Sequence, residues 1–185
     1  EYKTTNMLWS LFKALSHIEE EVIISYGDIV YSKKILEKII NCRDDIAIPI
    51  DLNWAEYWKT RQSDILIDSE TLQFDKNYFL KEIGNKPFSI NQIQGQYMGI
   101  IKLSGNGCKI FKEEFKKIGS GVFGQDKTLR NAFLTDFLQY LIVKEIKIKV
   151  IPHSDNWVEI DTVSDLNSRI TKKRLLEIEN ELKII

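Results

Sequence analysis

Cysteine, histidine and proline are all scarce in this chain. Cys42 and Cys108 lie far apart with neither CxxC nor Cys/His spacing, and His17 and His153 are the only histidines, which excludes a disulfide scaffold and a thiolate zinc site. No apolar run is long enough to span a bilayer, and no small-residue cleavage site follows the first amphipathic stretch. A cytoplasmic chain without a membrane span is therefore expected. Neither sign of charge predominates: 26 Lys and Arg face 27 Asp and Glu, a net charge of -1, so no broad basic field exists to hold a nucleic-acid polymer. Only 3 prolines and 9 glycines occur in 185 residues, which excludes collagen-like and low-complexity chains. What remains, 43% hydrophobic and 29% charged positions, is the balance of a single globular domain with a substantial core.

Apolar spacing supplies the elements. Cap-type residues through Asn6 precede Leu8, Trp9, Leu11, Phe12 and Leu15 at helical period, which predicts a helix to about His17. Val22 to Ile24 reads as a buried strand running out into SYGD, and Ser32 opens a helix with Ile35, Leu36, Ile39 and Ile40 on one side. Asp45 to Ile50 is a second strand, followed by the aromatic helix or turn DLNWAEYWKTR. The polar stretch from about Gln62 to Gln94 predicts a hairpin around Thr71–Phe74 and Tyr78–Ile83, laid as an insertion over one edge, with GNKP as a turn. GQYMGIIKL is a strand, CKIFKEEFKKI and TLRNAFLTDFLQYLIV are amphipathic helices, IKIKVIP and WVEID are strands, and Thr162 with Asp165 forms a capping box for a last helix. Such alternation predicts an α/β fold, a mixed sheet sandwiched between helices.

Among the motifs, GSGVFG matches the dinucleotide-binding GxGxxG pattern, but an amphipathic helix precedes it where that motif needs a strand, so an interhelix loop is the better reading. Asp28 stands where an apolar strand ends, the place where ligands of open α/β sheets collect, and Gly27 beside it would allow close approach to the backbone. The alternative is a turn former or helix cap. Asp161 supplies an acid at a second strand end, with Glu159 two residues earlier on the same face. Two carboxylates converging from separate strand ends make an oxygen-rich site suited to magnesium with substrate phosphates, hence to phosphoryl or nucleotidyl transfer. Trp54 and Trp58 share a face of their helix and offer an aromatic wall for a cationic ligand, with core packing as the alternative. Asp136 is an acid on an otherwise apolar helix, either on its wet face or in a cleft.

TTNMLWSL, IISYGDIVY, DDIAIPIDLNWAEYW, IGNKP, IQGQYMGIIKLS, LTDFLQYLI and WVEIDTVSDL, in that order along the chain, resemble the sugar-phosphate and phosphocholine nucleotidyltransferases. SYGDIVY, GQYMGI and WVEIDTVSDL resemble the phosphocholine cytidylyltransferase branch most. The resemblance implies the nucleotide-diphospho-sugar transferase fold and transfer of a nucleoside monophosphate, CMP from CTP in this branch, to a small phosphorylated or phosphonate acceptor with release of pyrophosphate. It implies Mg2+ on Asp28 and Asp161, Glu159 assisting the metal or its waters, Tyr26 and Gly27 at the nucleotide, and Gln96 and Tyr97 at the acceptor, with Trp54, Trp58 and Asp136 as further acceptor candidates. A sugar-1-phosphate nucleotidyltransferase and a non-catalytic binding remnant of the fold are the alternatives. Family members begin with a strand and a glycine-rich loop bearing Arg and Lys, and nothing of that kind precedes Tyr2. The expectation is therefore a single domain over 1–185 that forms the C-terminal two thirds of a longer one, with an open sheet edge that invites a homo-oligomer. A role in decorating cell-surface polysaccharide goes with this branch.

Overall fold

The computed structural model describes residues 2–61, 63–118, 122–123 and 127–183. Apart from the backbone of 122–123, the GSGVFG segment lies outside the described residues. In chain order the elements are α1 (Met7–Lys13), β1 (Glu21–Ser25), β2 (Ile29–Tyr31), α2 (Lys33–Asn41), β3 (Ile46–Asp51), α3 (Trp54–Arg61), β4 (Leu72–Phe74), β5 (Leu80–Ile83) and β6 (Gln96–Tyr97). They continue with β7 (Ile100–Ser104), α4 (Asn106–Ile118), β8 (Val122–Phe123), β9 (Lys127–Thr128), α5 (Leu134–Val143), β10 (Lys149–His153), β11 (Trp157–Glu159), α6 (Val163–Asn167) and α7 (Arg169–Lys183). Among the described residues no helix is long and apolar enough to cross a membrane.

The main sheet has the order β1-β7-β3-β10, with β6 also paired to β3. β10 runs parallel to β3, whereas β7 and β6 run antiparallel to it and β1 antiparallel to β7. This is the expected mixed sheet. Because β3 is covered on both faces, all six of its residues are buried, and its alternation assigns them to two cores. Ile46, Ile48 and Ile50 join Ile101, Leu103, Phe111, Phe115 and Phe137 in a core beneath α1, α4 and α5. The other face carries Ile35 and Ile39 of α2, Trp54, Tyr57 and Trp58 of α3, Ile100 and Trp157. Lys102 also points to this second side. Its buried ammonium donates to the carbonyls of Ile40 and Cys42 at the end of α2, at 3.0 and 2.7 Å, where helix carbonyls lack intrahelical partners.

Several boundaries differ from the sequence-based expectation. The first helix stops at Lys13, and Leu15–His17 forms a separate 3-10 turn. The segment read as one strand, GQYMGIIKL, is broken into β6 and β7 at Gly99, whose φ is +75°. The capping box of Thr162 and Asp165 opens only the short α6, and Ser168 starts α7 by bonding Thr171. The polar middle segment is more than a cover for one edge. Leu72, Leu80 and Ile83 enter the first core, and GNKP directly follows β5.

Gly99 cannot carry a side chain, because Tyr26 lies directly on it. Tyr26 N donates to Gly99 O at 2.9 Å, and a Cβ on Gly99 would stand 2.4 Å from Tyr26 Cδ2. Positive φ and ring contact both demand glycine. Gly99→Ala is expected to cost about 1–3 kcal/mol in urea unfolding, and the loss should shrink in a Tyr26→Ala background, where only the backbone strain persists.

Candidate active site

A cavity of about 670 Å³ opens where β1 and β11 end, bordered by the segment from Ile67 to Glu70, by Gly84 to Lys86 and by the start of α5. Its wall includes Tyr26, Trp58, Gln96, Tyr97, Glu159 and Asp161 among the residues singled out from the sequence. These come from distant stretches of chain. Tyr26 and Tyr97 meet edge to face with ring centroids 6.1 Å apart, and Gln96 is brought to the wall by its pairing opposite Asp51.

The acids at the end of β11 are organised by a residue that sequence reasoning passed over. Arg61, the last residue of α3, lies against the rings of Tyr57 and Trp58, with its guanidinium carbon 5.6 and 5.2 Å from their centroids. Its Nη1 donates to Glu159 Oε2 at 2.8 Å, its Nη2 to Asp161 Oδ2, and its Nε to Asp165 Oδ1 at 3.3 Å. Burial works against the charge of Arg61, but the hydrogen bonds to Glu159 and Asp161 outweigh it and hold the guanidinium protonated. For Glu159 the balance goes the other way. Burial raises its pKa, Arg61 opposes that, and the charges of Asp161 and Asp28 add to the rise.

β2 and β11 form a separate antiparallel ribbon with Glu159 opposite Ile29. Ile160 N donates to Asp28 O at 2.9 Å, so the strand ends bearing Asp28 and Asp161 lie side by side. Asp28 and Gly27 line a smaller adjoining cavity of about 300 Å³ that shares Met7 and Tyr26 with the main one. Tyr26 thus stands between two compartments. A Cβ on Gly27 would meet nothing within 4 Å, so that backbone is open to approach. Among the described residues no three His, Cys, Asp or Glu side chains converge into a ready cage for a metal ion.

Two of the expected acceptor residues are elsewhere. Trp54 is 3% exposed and packs edge to face on Trp58 in the second core, so its ring offers no free face to a ligand. Asp136 accepts the backbone N–H of Phe133 at 2.7 Å as a helix cap and is neutralised by Lys127 Nζ at 2.9 and 3.0 Å. The expectation that both face one pocket with Trp58 and Tyr97 is corrected accordingly. Trp58 itself is a buried core residue whose Nε1 donates to Asp68 O at 3.0 Å and which borders the cavity. Glu70, Lys86 and Thr135 line the cavity without having been singled out from the sequence.

Carboxylates gathered around a cavity at strand ends, in a mixed sheet covered on both faces, stand where ligands of α/β sheets bind. The fold is similar to that of the inositol-1-phosphate CTP transferase from T. maritima, with a TM-score of 0.65 at 18% identity over 95% of this chain; the chain spans 63% of that protein's length. No family model matches the sequence. In sequence the chain is similar to the CTP:phosphoglutamine cytidylyltransferase of Campylobacter jejuni subsp. jejuni serotype O:2, 35% identical over 178 residues that cover 93% of this chain and 70% of the relative. The chain belongs to the cytidylyltransferase-like nucleotidyltransferases.

Removing Arg61 should be costly and pH-dependent. Arg61→Gln leaves Glu159 and, more weakly because it is exposed, Asp161 without a partner, for an expected loss of about 2–4 kcal/mol near pH 7. A carboxyl whose folded pKa lies above its unfolded one binds its proton more tightly when folded, so it destabilises as pH rises through that window. The Arg61→Gln deficit in urea unfolding should therefore be largest at neutral pH and shrink as acid protonates Glu159.

Proposed function

We propose that this protein transfers CMP from CTP to a small phosphorylated or phosphonate acceptor. An acceptor oxygen attacks the α-phosphorus, a new P–O bond forms, the α–β anhydride bond breaks, and pyrophosphate leaves. The observation that carries this reading is the cavity in which Asp161 and Glu159 at the end of β11, Tyr26 beyond β1 and Lys86 after β5 come together. The curated relative's name, a cytidylyltransferase acting on phosphoglutamine, supports both the nucleotide and the class of acceptor.

Hard oxygen donors are what magnesium takes, usually one or two carboxylates completed by waters and substrate phosphates. Asp28 and Asp161 are carboxylates on adjoining strand ends and are the residues that would hold it, Asp28 from the smaller compartment and Asp161 from the larger, where Arg61 also binds it. Bound there, the ion would neutralise charge developing on phosphate oxygens. The chain's own residues then divide the work. Gly27 and Asp28 border the smaller compartment, where exposed backbone suits a triphosphate, and Tyr26 separates it from the acceptor cavity. Gln96 and Tyr97 line the acceptor side. Arg61 acts through others, as a positioning residue that fixes Glu159 and Asp161. Little covalent work falls to the protein, so rate comes from alignment and electrostatics. A cytoplasmic location, where CTP is supplied, and use of the CMP-linked product in cell-surface polymers belong to the same reading.

Asp28→Ala and Asp161→Ala should each lower CTP-dependent pyrophosphate release by about 100-fold or more while thermal unfolding stays cooperative. Unchanged release in either variant would remove that acid from the site, and chelation of divalent ions with EDTA should abolish release in the unsubstituted protein.

A further inference from the structure

The outer edge of β11 is completed by side chains where a strand would otherwise lie. β2 and β11 form a two-stranded ribbon, and Ile160 N donates to Asp28 O. In an antiparallel pair the backbone groups of successive residues face opposite edges, so Val158 and Ile160 face β2 while Trp157 and Glu159 face away from it. No strand meets that far edge among the described residues. Its groups are nevertheless matched. Arg174 Nη1 of α7 donates to Trp157 O at 2.9 Å, and the Tyr57 hydroxyl serves both backbone groups of Glu159, accepting its N–H at 3.2 Å and donating to its carbonyl at 3.4 Å.

The hydroxyl is itself held in place. Tyr57 is buried, its ring meets Trp58 and Trp157 edge to face at centroid separations of 5.5 and 5.8 Å, and the Arg174 guanidinium carbon stands 4.0 Å from its centroid. Burial pushes its pKa above the usual phenol value, so the hydroxyl keeps the proton it donates. A ring packed in this way carries the position of α3 to one residue of β11.

We infer that Tyr57 is a positioning residue for the proposed transfer: standing in for a strand at Glu159, its hydroxyl sets where the end of β11 presents Glu159 and Asp161 to the cavity. The inference rests on the transferase reading for the reaction and on hydrogen-bond geometry for the attachment. Arg61 holds the two carboxylates by their side chains, whereas Tyr57 holds the backbone from which they project. The two ties are not redundant. Side chains joined by a guanidinium follow a strand end that moves, but they do not prevent its moving. Without the hydroxyl, both backbone groups of Glu159 lose their partner, and the strand end shifts to regain one. A misplacement of about 1 Å can cost about 100-fold in rate.

The test pairs amide hydrogen exchange with steady-state kinetics. Tyr57→Phe removes the hydroxyl and keeps the ring. Exchange at Glu159 N–H should accelerate at least about fivefold relative to Val158 N–H, which faces β2 and serves as the internal reference. With CTP and the better of phosphoethanolamine and glycerol 3-phosphate, kcat for pyrophosphate release should fall about ten- to hundredfold, with each KM within about threefold. Phe115→Leu, which thins the first core away from β11, should lower the melting temperature and leave kcat unchanged. Unaltered exchange at Glu159 in Tyr57→Phe, or a kcat loss no larger than that of Phe115→Leu, would overturn the positioning role. Should Tyr57→Phe fail to fold, the unsubstituted protein decides: Glu159 N–H must be protected to within about tenfold of Val158 N–H, and free exchange there overturns the attachment. The two claims fail separately. No release from the unsubstituted protein with either acceptor counts against the transferase and leaves exchange at Glu159 to judge the attachment; release that Tyr57→Phe does not slow sinks the positioning role and spares the transferase.

Discussion

Arg61 is the tie on which the geometry of the acidic site depends. The β2–β11 ribbon is not part of the main ladder, so its position relative to the sheet is set by side chains. Four side-chain attachments hold it, one of them from Arg174 of α7, whose Nη1 donates to Trp157 O at 2.9 Å. Trp157 Nε1 donates to the buried Asp51 Oδ2 at 2.9 Å, joining β11 to β3. The Tyr57 hydroxyl accepts Glu159 N at 3.2 Å, joining β11 to α3. Arg61 then spans from α3 to the end of β11 and on to α6 through three carboxylates. A single fork-shaped cation can do this because its donors are fixed in one plane, which a flexible ammonium could not reproduce.

That arrangement sets acids of like charge beside one another without a surplus of local repulsion. Glu159 and Asp161 share one guanidinium, whereas Asp28, on the neighbouring strand end, is left exposed and without an ion pair among the described residues. The result is a graded wall: a neutralised pair at the back, a free acid in the adjoining compartment, and an unpaired Glu70 against α5. Carboxylates repel phosphate, so a wall of this kind suits a phosphate ligand only where a cation lies between the two. Tyr26, seated on Gly99, keeps the two compartments distinct.

Much of this was legible in the sequence because it depends on local pattern. The strand around Val22–Ile24, the buried β3, the amphipathic α4 and the Thr162–Asp165 box follow from apolar period and cap chemistry, and the acids at Asp28, Glu159 and Asp161 from their strand-end positions. What escaped depends on contacts between distant residues. Arg61 reads as a solvated helix end until β11, about 100 residues on, is folded against it. Glu70 sits in a polar segment that reaches the cavity only through contacts with α3, α5 and the turn after β5. Asp136 and Trp54 carried the right chemistry for an acceptor site, but a helix cap and an aromatic core used them first. Gly99 looked like an ordinary strand residue, since nothing in a hydropathy pattern reveals that a ring from the end of β1 will lie on it.

Nucleotidyl transfer at this site requires attack at the α-phosphorus of CTP, and the products record which phosphorus was attacked. Phosphorus NMR of the products formed from CTP and phosphoethanolamine should show two mutually coupled resonances of a new P–O–P linkage between CMP and the acceptor, together with free pyrophosphate in equal amount. Inorganic phosphate with CDP, or CMP with unaltered phosphoethanolamine, would show attack elsewhere or by water, and would contradict a nucleotidyl transfer at this site.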